Sequence, residues 1–143
     1  MCEAEFNRVL RCREMEQRAY ATATEYMAMP AGYLELRNIQ LNETPKIPLD
    51  MVAPDFMDAN YSGATGQPVV YCLLANQIQL GPAPDSTYTV EIDYYEVIPP
   101  LASNATNWLL TAYPDLYLYG SLLRGGGYLR DPQLLSGFQQ AYD

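Results

Sequence analysis

The chain has 143 residues, which suffices for one domain of ordinary size and is too short for two full ones. Hydrophobic residues make up 49% and charged residues 17%, so the sequence can bury a core and is not that of a disordered protein. The formal net charge of −9 argues against a general nucleic-acid-binding protein, because such a protein needs basic side chains to displace the counterions of the phosphates.

Residues 3–19 are predicted to form the first helix. One polar face recurs at spacings of three and four residues: Glu3, Asn7, Arg11, Glu14 and Arg18. Glu14 and Arg18 would form a favourable i,i+4 pair on this face. The opposite face is apolar and contains Cys2, Phe6, Val9 and Leu10. Arg13 interrupts it, where its side chain either contacts a partner or lies along the edge of the core.

A β-rich region is predicted from about residue 21 to residue 100. The expected strands are 33–41, with a bulge near Arg37-Asn38, then 47–52, 69–75, 78–80 and 87–97. Strands 69–75 and 78–80 form a hairpin around Asn76-Gln77, and a brief helix begins at Pro54 with Phe56 and Met57 as its anchors. The last strand alternates most cleanly, since Tyr88, Val90, Ile92 and Tyr94 share one face.

Helical signals return after Pro99-Pro100. Thr106 or Asn107 is expected to cap a helix that begins at Trp108, Pro114-Asp115 begins a second helix, and Asp131-Pro132 begins a third. Residues 113–123 leave hardly any polar face, so Tyr117 and Tyr119 are covered either by their own chain or by another subunit. The three glycines at 125–127 indicate a flexible break or a tight packing point.

This order of elements predicts an α+β fold, in which a helical bundle packs beside a mainly antiparallel β domain. We expect a single domain over residues 1–143, with an N-terminal helix at 1–20, a β-rich insertion at 21–100 and C-terminal helices at 101–143. The charge is uneven, because residues 1–19 sum to zero and the rest of the chain carries the full −9. Thirteen tyrosines against three phenylalanines suit either a β-rich fold or a surface that meets another surface.

The residue inventory argues against an enzyme. The sequence contains no histidine, which removes the usual general base and most metal sites. Its three cysteines have no CxxC spacing, so neither a disulfide framework nor a zinc site is predicted, and no cofactor is expected. No signal peptide and no apolar stretch long enough to span a bilayer is recognised, so we expect a reduced, intracellular assembly environment without a membrane partner.

Glu91 and Asp93 are the best catalytic candidates. Carboxylates at i and i+2 share one face of a strand at about 6–7 Å, and glycoside hydrolysis uses a similar separation. Acidic residues on the solvated face of an amphipathic strand are nevertheless routine, so we expect both to face solvent or a neighbour. Asp50, Asp55 and Asp58 likewise lack the glycine of a calcium-binding loop.

Six blocks of sequence, taken in order, resemble the head–tail adaptor family of tailed bacteriophages, also called connector or head-completion proteins. The blocks are Asn7-Arg-Val-Leu-Arg-Cys-Arg-Glu-Met-Glu16, Pro30-Ala-Gly-Tyr-Leu-Glu-Leu-Arg37, Pro82-Ala-Pro-Asp followed by Tyr88-Thr-Val-Glu-Ile-Asp-Tyr-Tyr-Glu96, Ile98-Pro-Pro-Leu101, Thr106-Asn-Trp-Leu-Leu-Thr111 and Pro114-Asp-Leu-Tyr-Leu-Tyr-Gly120. The resemblance covers nearly the whole chain. Members usually have a helical segment before the first block and a longer C-terminal helix.

The resemblance implies a structural subunit that assembles with eleven copies of itself into a ring below the portal protein. The ring extends the DNA channel towards downstream tail or nozzle proteins, DNA passes without sequence-specific binding, and the protein resides at the head–tail junction of the virion after assembly in the host cytoplasm. The family has no catalytic residues, so none are carried over. The candidate partner-facing residues are Arg13, Tyr117, Tyr119, Arg124, Arg130, Phe138 and Tyr142.

Two other classes of function stay open. A carbohydrate-binding or tail-associated β module would use exposed, coplanar tyrosines as sugar platforms on one face of the sheet. A glycan-cleaving enzyme would use Glu91 and Asp93. An adaptor instead predicts tyrosines at contacts between subunits.

Overall fold

A computed structural model describes residues 2–129 and residue 137. The chain divides into two compact units. Residues Glu16–Glu96 form the β unit, and the described residues up to Met15 and from Val97 onwards form the helical unit. The β-rich region thus lies close to the predicted range 21–100 but begins five residues earlier.

The β unit is built from two four-stranded sheets, one two-stranded sheet and one helix. Its strands are β1 (Glu16–Thr22), β2 (Tyr26–Ala28), β3 (Tyr33–Leu41), β4 (Ile47–Pro48), β5 (Asp50–Met51), β6 (Thr65–Gly66), β7 (Val70–Leu74), β8 (Gln77–Gly81), β9 (Ala83–Pro84) and β10 (Thr89–Glu96), and its helix is α2 (Pro54–Tyr61). Sheet A has the order β1-β10-β3-β4 and sheet B the order β2-β8-β7-β5. All pairs in these sheets are antiparallel except β5 with β7.

The core of the β unit lies between the two sheets. Sheet A contributes Ile39, Leu41, Val90, Ile92 and Tyr94, and sheet B contributes Met27, Tyr71, Ile78 and Leu80. The predicted alternation of β10 is therefore confirmed for its apolar face. Full burial of one such side chain stabilises the fold by about 1.5–3 kcal/mol, so this face fixes the register of β10.

Helix α2 covers the outer face of sheet B. Met57 is fully buried against Val70 and Cys72, whereas Tyr71, which lies between them in β7, faces the core. Period-two alternation places these neighbours on opposite faces. Gly81 makes the close approach possible, because a Cβ at this position would lie 3.1 Å from Val70 Cγ2 and nearer still to Met57 Sδ.

The helical unit contains α1 (Cys2–Val9), a short 3-10 turn (Arg13–Met15), α3 (Trp108–Ala112) and α4 (Pro114–Leu129). The ring of Phe6 packs edge-on against the ring of Tyr117, with centroids 5.3 Å apart, and thereby joins α1 to α4. Asn107 caps α3, as predicted, since its Oδ1 accepts a hydrogen bond of 2.8 Å from the Leu110 amide. Pro114 begins α4, also as predicted.

The prediction of one helix over residues 3–19 is wrong beyond Val9. Residues 16–22 form strand β1, which pairs along its whole length with β10. Arg18 meets Asp93 across this pair, with 2.6 Å between Nε and Oδ1, instead of Glu14 one helical turn away. The weak preference of Glu, Gln, Arg and Ala for a helix is overridden by a full row of interstrand hydrogen bonds and by the packing of Ala19 and Ala21 on the core.

Three smaller differences separate the predicted from the observed elements. The range 47–52 forms two strands, and the buried Leu49 lies where the chain passes from sheet A to sheet B. Helix α4 runs through Gly125, Gly126 and Gly127 without a break, since glycine weakens a helix but leaves its hydrogen bonds possible. Phe56 is exposed, so only Met57 of the two predicted anchors of α2 is buried. The helix predicted from Asp131-Pro132 lies outside the described residues.

The other local predictions are confirmed. The register of β3 against β10 shifts at Arg37, between Asn38 opposite Asp93 and Leu36 opposite Tyr94, which is the expected bulge. The hairpin of β7 and β8 is present, with its turn at Ala75-Asn76, one residue earlier than predicted.

Candidate functional site

The outer face of sheet A carries a network of ion pairs. Residues 16–96 contain three basic residues, Arg18, Arg37 and Lys46, and all three contact this face. Arg37 pairs with Glu16 and donates a hydrogen bond of 3.0 Å to the hydroxyl of Tyr95, above whose ring its guanidinium also lies. The basic side chains of the β unit are thus neutralised by carboxylates of the same sheet.

Glu91 lies at the centre of this network and is fully buried. Its Oε2 accepts a hydrogen bond of 2.5 Å from Lys46 Nζ, its Oε1 accepts one of 2.8 Å from Gln40 Nε2, and Arg18 Nε lies 3.3 Å from Oε1. The hydrogen bond from Lys46 lowers the pKa of Glu91, and Gln40 and Arg18 add to this effect against the opposing effect of burial. The expectation that Glu91 faces solvent or a neighbour is therefore wrong, because cross-strand side chains cover it.

Glu91 and Asp93 are poorly suited to general acid catalysis. A general acid needs a raised pKa, whereas the pKa of Glu91 is lowered. Asp93 accepts hydrogen bonds from Nε and Nη2 of Arg18 at 2.6 and 3.3 Å. Both carboxylates thus act in cross-strand pairing, which stabilises the sheet.

The charge of the chain is concentrated in the β unit. Its three basic and eleven acidic residues give a net charge of −8, whereas the remaining five basic and six acidic residues give −1. Since the ion-pair network on sheet A holds every basic residue of the β unit, the other surfaces of this unit are acidic. The sequence analysis assigned the full −9 to the residues after 19, and the structure shows that most of this charge lies in the β unit.

Tyr117, one of the predicted partner-facing residues, makes its described contacts inside the helical unit. Its hydroxyl accepts a hydrogen bond of 2.8 Å from Asn107 Nδ2 and donates one of 3.3 Å to Glu3 Oε1. Its ring contacts Phe6 and its side chain is half-buried. The ring of Tyr117 thus packs against another helix and its hydroxyl is hydrogen-bonded, so contacts within its own chain account for its position.

The other predicted partner-facing residues are distributed along the helical unit. Arg13 lies in the 3-10 turn with 90% of its side chain exposed, and its Nη2 lies 4.0 Å from Glu14 Oε1. Tyr119 lies in α4 and is half-buried. The side chain of Arg124 and the residues Arg130, Phe138 and Tyr142 lie outside the described part of the structure.

An apolar groove runs along the helical unit. Leu10, Trp108, Leu109, Tyr113 and Leu116 line it, and Trp108 is half-buried at the start of α3. Leu118 on α4 is exposed, as is Tyr113, which lies between α3 and α4. The surplus apolar surface expected from the sequence of residues 113–123 is thus present on this helix.

Three apolar side chains of the β unit are exposed although the sequence did not predict it. Met51, at the end of the edge strand β5, is 66% exposed, Phe56 in the first turn of α2 is 49% exposed, and Val69 is 44% exposed. The sequence signal was the alternation of apolar with acidic residues over Asp50-Met51 and Asp55-Phe56. Helix α2 packs on sheet B through the buried Met57 and the partly buried Tyr61, and Phe56 is left in solvent.

Comparison with protein families identifies the chain. The family model described as SU10 adaptor protein matches residues 1–143. The chain belongs to the SU10 adaptor protein family. The predicted relationship to phage head–tail adaptors is thereby confirmed. No curated protein gives a significant match.

Family membership makes this chain a structural protein of a bacteriophage. The family is one of phage structural adaptors and not of enzymes, and it implies interaction with other head or tail proteins in the virion. Among the residues that the structure describes, no helix of this adaptor has both the length and the apolar character to cross a membrane. Within the same residues, no three Cys, Asp or Glu side chains gather as a metal site requires.

Proposed function

We propose that this adaptor is one subunit of a twelve-fold ring that binds below the portal protein at the head–tail junction. The ring extends the DNA channel towards the downstream tail or nozzle proteins. The match of the SU10 adaptor family to the entire chain carries this proposal. The helical unit and the β unit act together as one adaptor domain, with α1, α3 and α4 as its helical bundle.

The charge distribution supports a channel through which DNA slides. Twelve copies at −9 each would carry about −108. The β unit holds most of this charge, and its basic residues are neutralised by Glu16, Glu91 and Asp93. Since no cluster of basic side chains on this unit is left to hold phosphates, DNA is repelled evenly and passes without sequence-specific binding.

The exposed apolar residues of the helical unit support contacts with partner proteins. We assign the contact with the portal and with neighbouring subunits to this unit, with Arg13, Tyr119 and the C-terminal residues Arg124, Arg130, Phe138 and Tyr142 as contact residues. Exposed Leu118 on α4 and exposed Tyr113 just before that helix provide apolar surface of the kind that such an interface buries.

A sugar-binding module finds less support in the same geometry. Such a module needs tyrosine rings that lie bare and coplanar on one sheet face. On the outer face of sheet A, the exposed Tyr20 lies opposite Glu91 of the ion-pair network, and Arg37 lies above the ring of Tyr95 with 5.4 Å between Cζ and the ring centroid.

Electron microscopy of the portal protein mixed with this adaptor tests the proposal. We expect free adaptor to be a monomer or small oligomer, because each contact in the ring is small and the portal acts as the template. With portal present, we expect a second ring of twelve-fold symmetry on one end of the portal particle. Bare portals at saturating adaptor concentration contradict the assignment.

A further inference from the structure

Strand β1 forms a long free edge of the β unit. Sheet A has the order β1-β10-β3-β4, so β1 pairs with β10 on one side and, among the described residues, with no strand on the other. β1 has seven residues, whereas the other strands that end a four-stranded sheet, β2, β4 and β5, have three, two and two. Such short edges offer few hydrogen bonds to an added strand, so β1 is the edge best suited to pair with another chain.

The backbone groups that β1 presents at this edge follow from its ladder with β10. The Ala23 amide donates a hydrogen bond of 2.9 Å to the Tyr88 carbonyl, so residues 23 and 88 continue the antiparallel register as a hydrogen-bonded pair. In such a ladder, hydrogen-bonded pairs alternate with pairs whose backbone groups point away from each other. Residues 17, 19 and 21 therefore bond to β10, and residues 16, 18, 20 and 22 direct their N–H and C=O groups outwards over about 20 Å.

This edge lacks the devices that usually protect a long edge strand. It contains no proline, and its register with β10 runs from Glu16 to Thr22 without a bulge. Its two charged side chains are drawn over the sheet, because Arg18 bonds to Asp93 and Glu16 pairs with Arg37. The four residues with outward backbone groups all have exposed side chains. The edge is therefore accessible to a further strand.

We propose that β1 pairs with an extended segment of the downstream tail or nozzle protein, which adds a strand to sheet A. This inference rests on the proposed function, which assigns the portal and the neighbouring subunits to the helical unit and leaves the downstream contact without a site. Four outward N–H groups and four outward C=O groups in a row match the backbone of an extended chain. In strand addition of this kind, backbone hydrogen bonds supply the affinity and side chains at alternate positions supply the specificity.

A second copy of this chain does not fit the same edge. Pairing of β1 with β1 is an isologous contact, which is complete after two copies and cannot repeat around a ring. Pairing of β1 with a free edge of sheet A or B in the next copy would use at most the three residues of β2. The occupant is therefore a different protein.

The side chains beside the edge indicate which segment it accepts. Ala19 and Ala21 are half-buried on the core side of β1, and their small size leaves room for large apolar side chains on the same face of an added strand. The β unit carries a net charge of −8, and its three basic residues are held in ion pairs. Charge complementarity thus favours a segment in which large apolar residues alternate with neutral or basic ones.

Substitution by proline tests the backbone pairing in the full-length chain. The Tyr20 N–H points outwards, so Tyr20→Pro removes a donor from the edge and leaves the ladder with β10 in place. Tyr20→Ala loses the same side chain, keeps the N–H and is the matched control. Rings of each variant are assembled on the portal protein and titrated with the downstream tail or nozzle protein purified from the same phage. We expect Tyr20→Pro to form rings like the wild type and, by surface plasmon resonance, to bind the tail protein at least tenfold more weakly than Tyr20→Ala.

Folding and hydrogen exchange provide the second set of measurements. Urea denaturation checks that both variants are folded, and if Tyr20→Pro is not, Thr22→Pro replaces it with Thr22→Ala as its control. In wild-type rings, the tail protein should slow hydrogen exchange of the amides of residues 18, 20 and 22. The amides of residues 17, 19 and 21 should be protected both with and without the tail protein.

Each result has one interpretation. Equal binding of the tail protein by the folded proline variant and its alanine control overturns the inference and leaves the proposed function standing. A folded proline variant that forms no ring on the portal places β1 in a contact between copies and also overturns the inference, as do wild-type rings that do not bind the tail protein. A wild-type chain that forms no ring on the portal overturns the proposed function, and this contact with it.

Discussion

At the residue scale, Glu91 is held in its charged form by its neighbours. Protonation would remove the attraction to Lys46 and Arg18 while leaving the side chain buried. The free energy of such an arrangement depends on pH. Because the pKa of Glu91 is lowered in the folded protein, its contribution is present above the unfolded-state pKa of about 4.3 and is lost as the pH falls through the folded-state value.

We predict that Glu91→Gln lowers the stability of the β unit at pH 7 and that the difference from the wild type shrinks on acidification. Urea denaturation at pH 7, 5, 4 and 3 measures both effects. Glu43→Gln removes an exposed carboxylate from the loop before β4 and is the matched control, with a stability close to that of the wild type. A difference between Glu91→Gln and wild type that stays constant down to pH 3 contradicts the proposed role of the ion pairs.

At the element scale, local sequence pattern predicted β10 and the cap of α3 correctly but predicted a helix where the structure has strand β1. The alternation in β10 and the cap at Asn107 were predictable, because both depend on residues close together in sequence. Strand β1 was not, because its pairing with β10 joins residues more than sixty positions apart. Of the candidate site, the charge distribution and the apolar α4 were foreseen, whereas the exposure of Met51 and Phe56 depends on which side chains the folded β unit leaves uncovered.

Helix α4 provides a test of how glycine is used in this chain. A Cβ at Gly125 would meet no atom within 4 Å, so Gly125→Ala should stabilise the helical unit by about 0.5–1 kcal/mol through the higher helix propensity of alanine. Gly81→Ala is the contrasting variant, since its Cβ would collide with Met57, and overpacking of this kind costs about 1–3 kcal/mol. Thermal denaturation of both variants measures these changes in stability. A lower melting temperature for Gly125→Ala than for the wild type would contradict the prediction.

At the scale of the whole molecule, the chain divides its tasks between an acidic β unit and a nearly neutral helical unit. Under the proposed function, the charge that repels DNA lies on the β unit and the surface that binds the portal and neighbouring subunits lies on the helical unit. We propose that the C-terminal segment completes the protein-binding part, because it follows α4 directly and contains Phe138 and Tyr142.

We predict that deletion of residues 137–143 weakens portal binding at least tenfold and leaves the stability of the β unit unchanged. The expected loss corresponds to one or two aromatic anchors at an interface, each worth about 2 kcal/mol. Surface plasmon resonance on immobilised portal measures affinity, and urea denaturation measures stability. The double substitution Phe138→Ala/Tyr142→Ala is the narrower variant and should reproduce most of the loss. Portal affinity equal to that of the wild type in both variants contradicts the assignment.

The pairing of β1 with β10 also determines how the adaptor responds to tension. Glu16 lies opposite Tyr95, so the chain leaves the helical unit and returns to it through neighbouring strands at the same end of sheet A. A force that draws these two connections apart loads the hydrogen bonds near Glu16 and Tyr95 first and peels the strands one pair at a time. If the two connections move together, the hydrogen bonds between β1 and β10 are not loaded and stay intact. The β unit therefore opens easily when its two connections to the helical unit are pulled apart. It stays folded when both connections are pulled in the same direction.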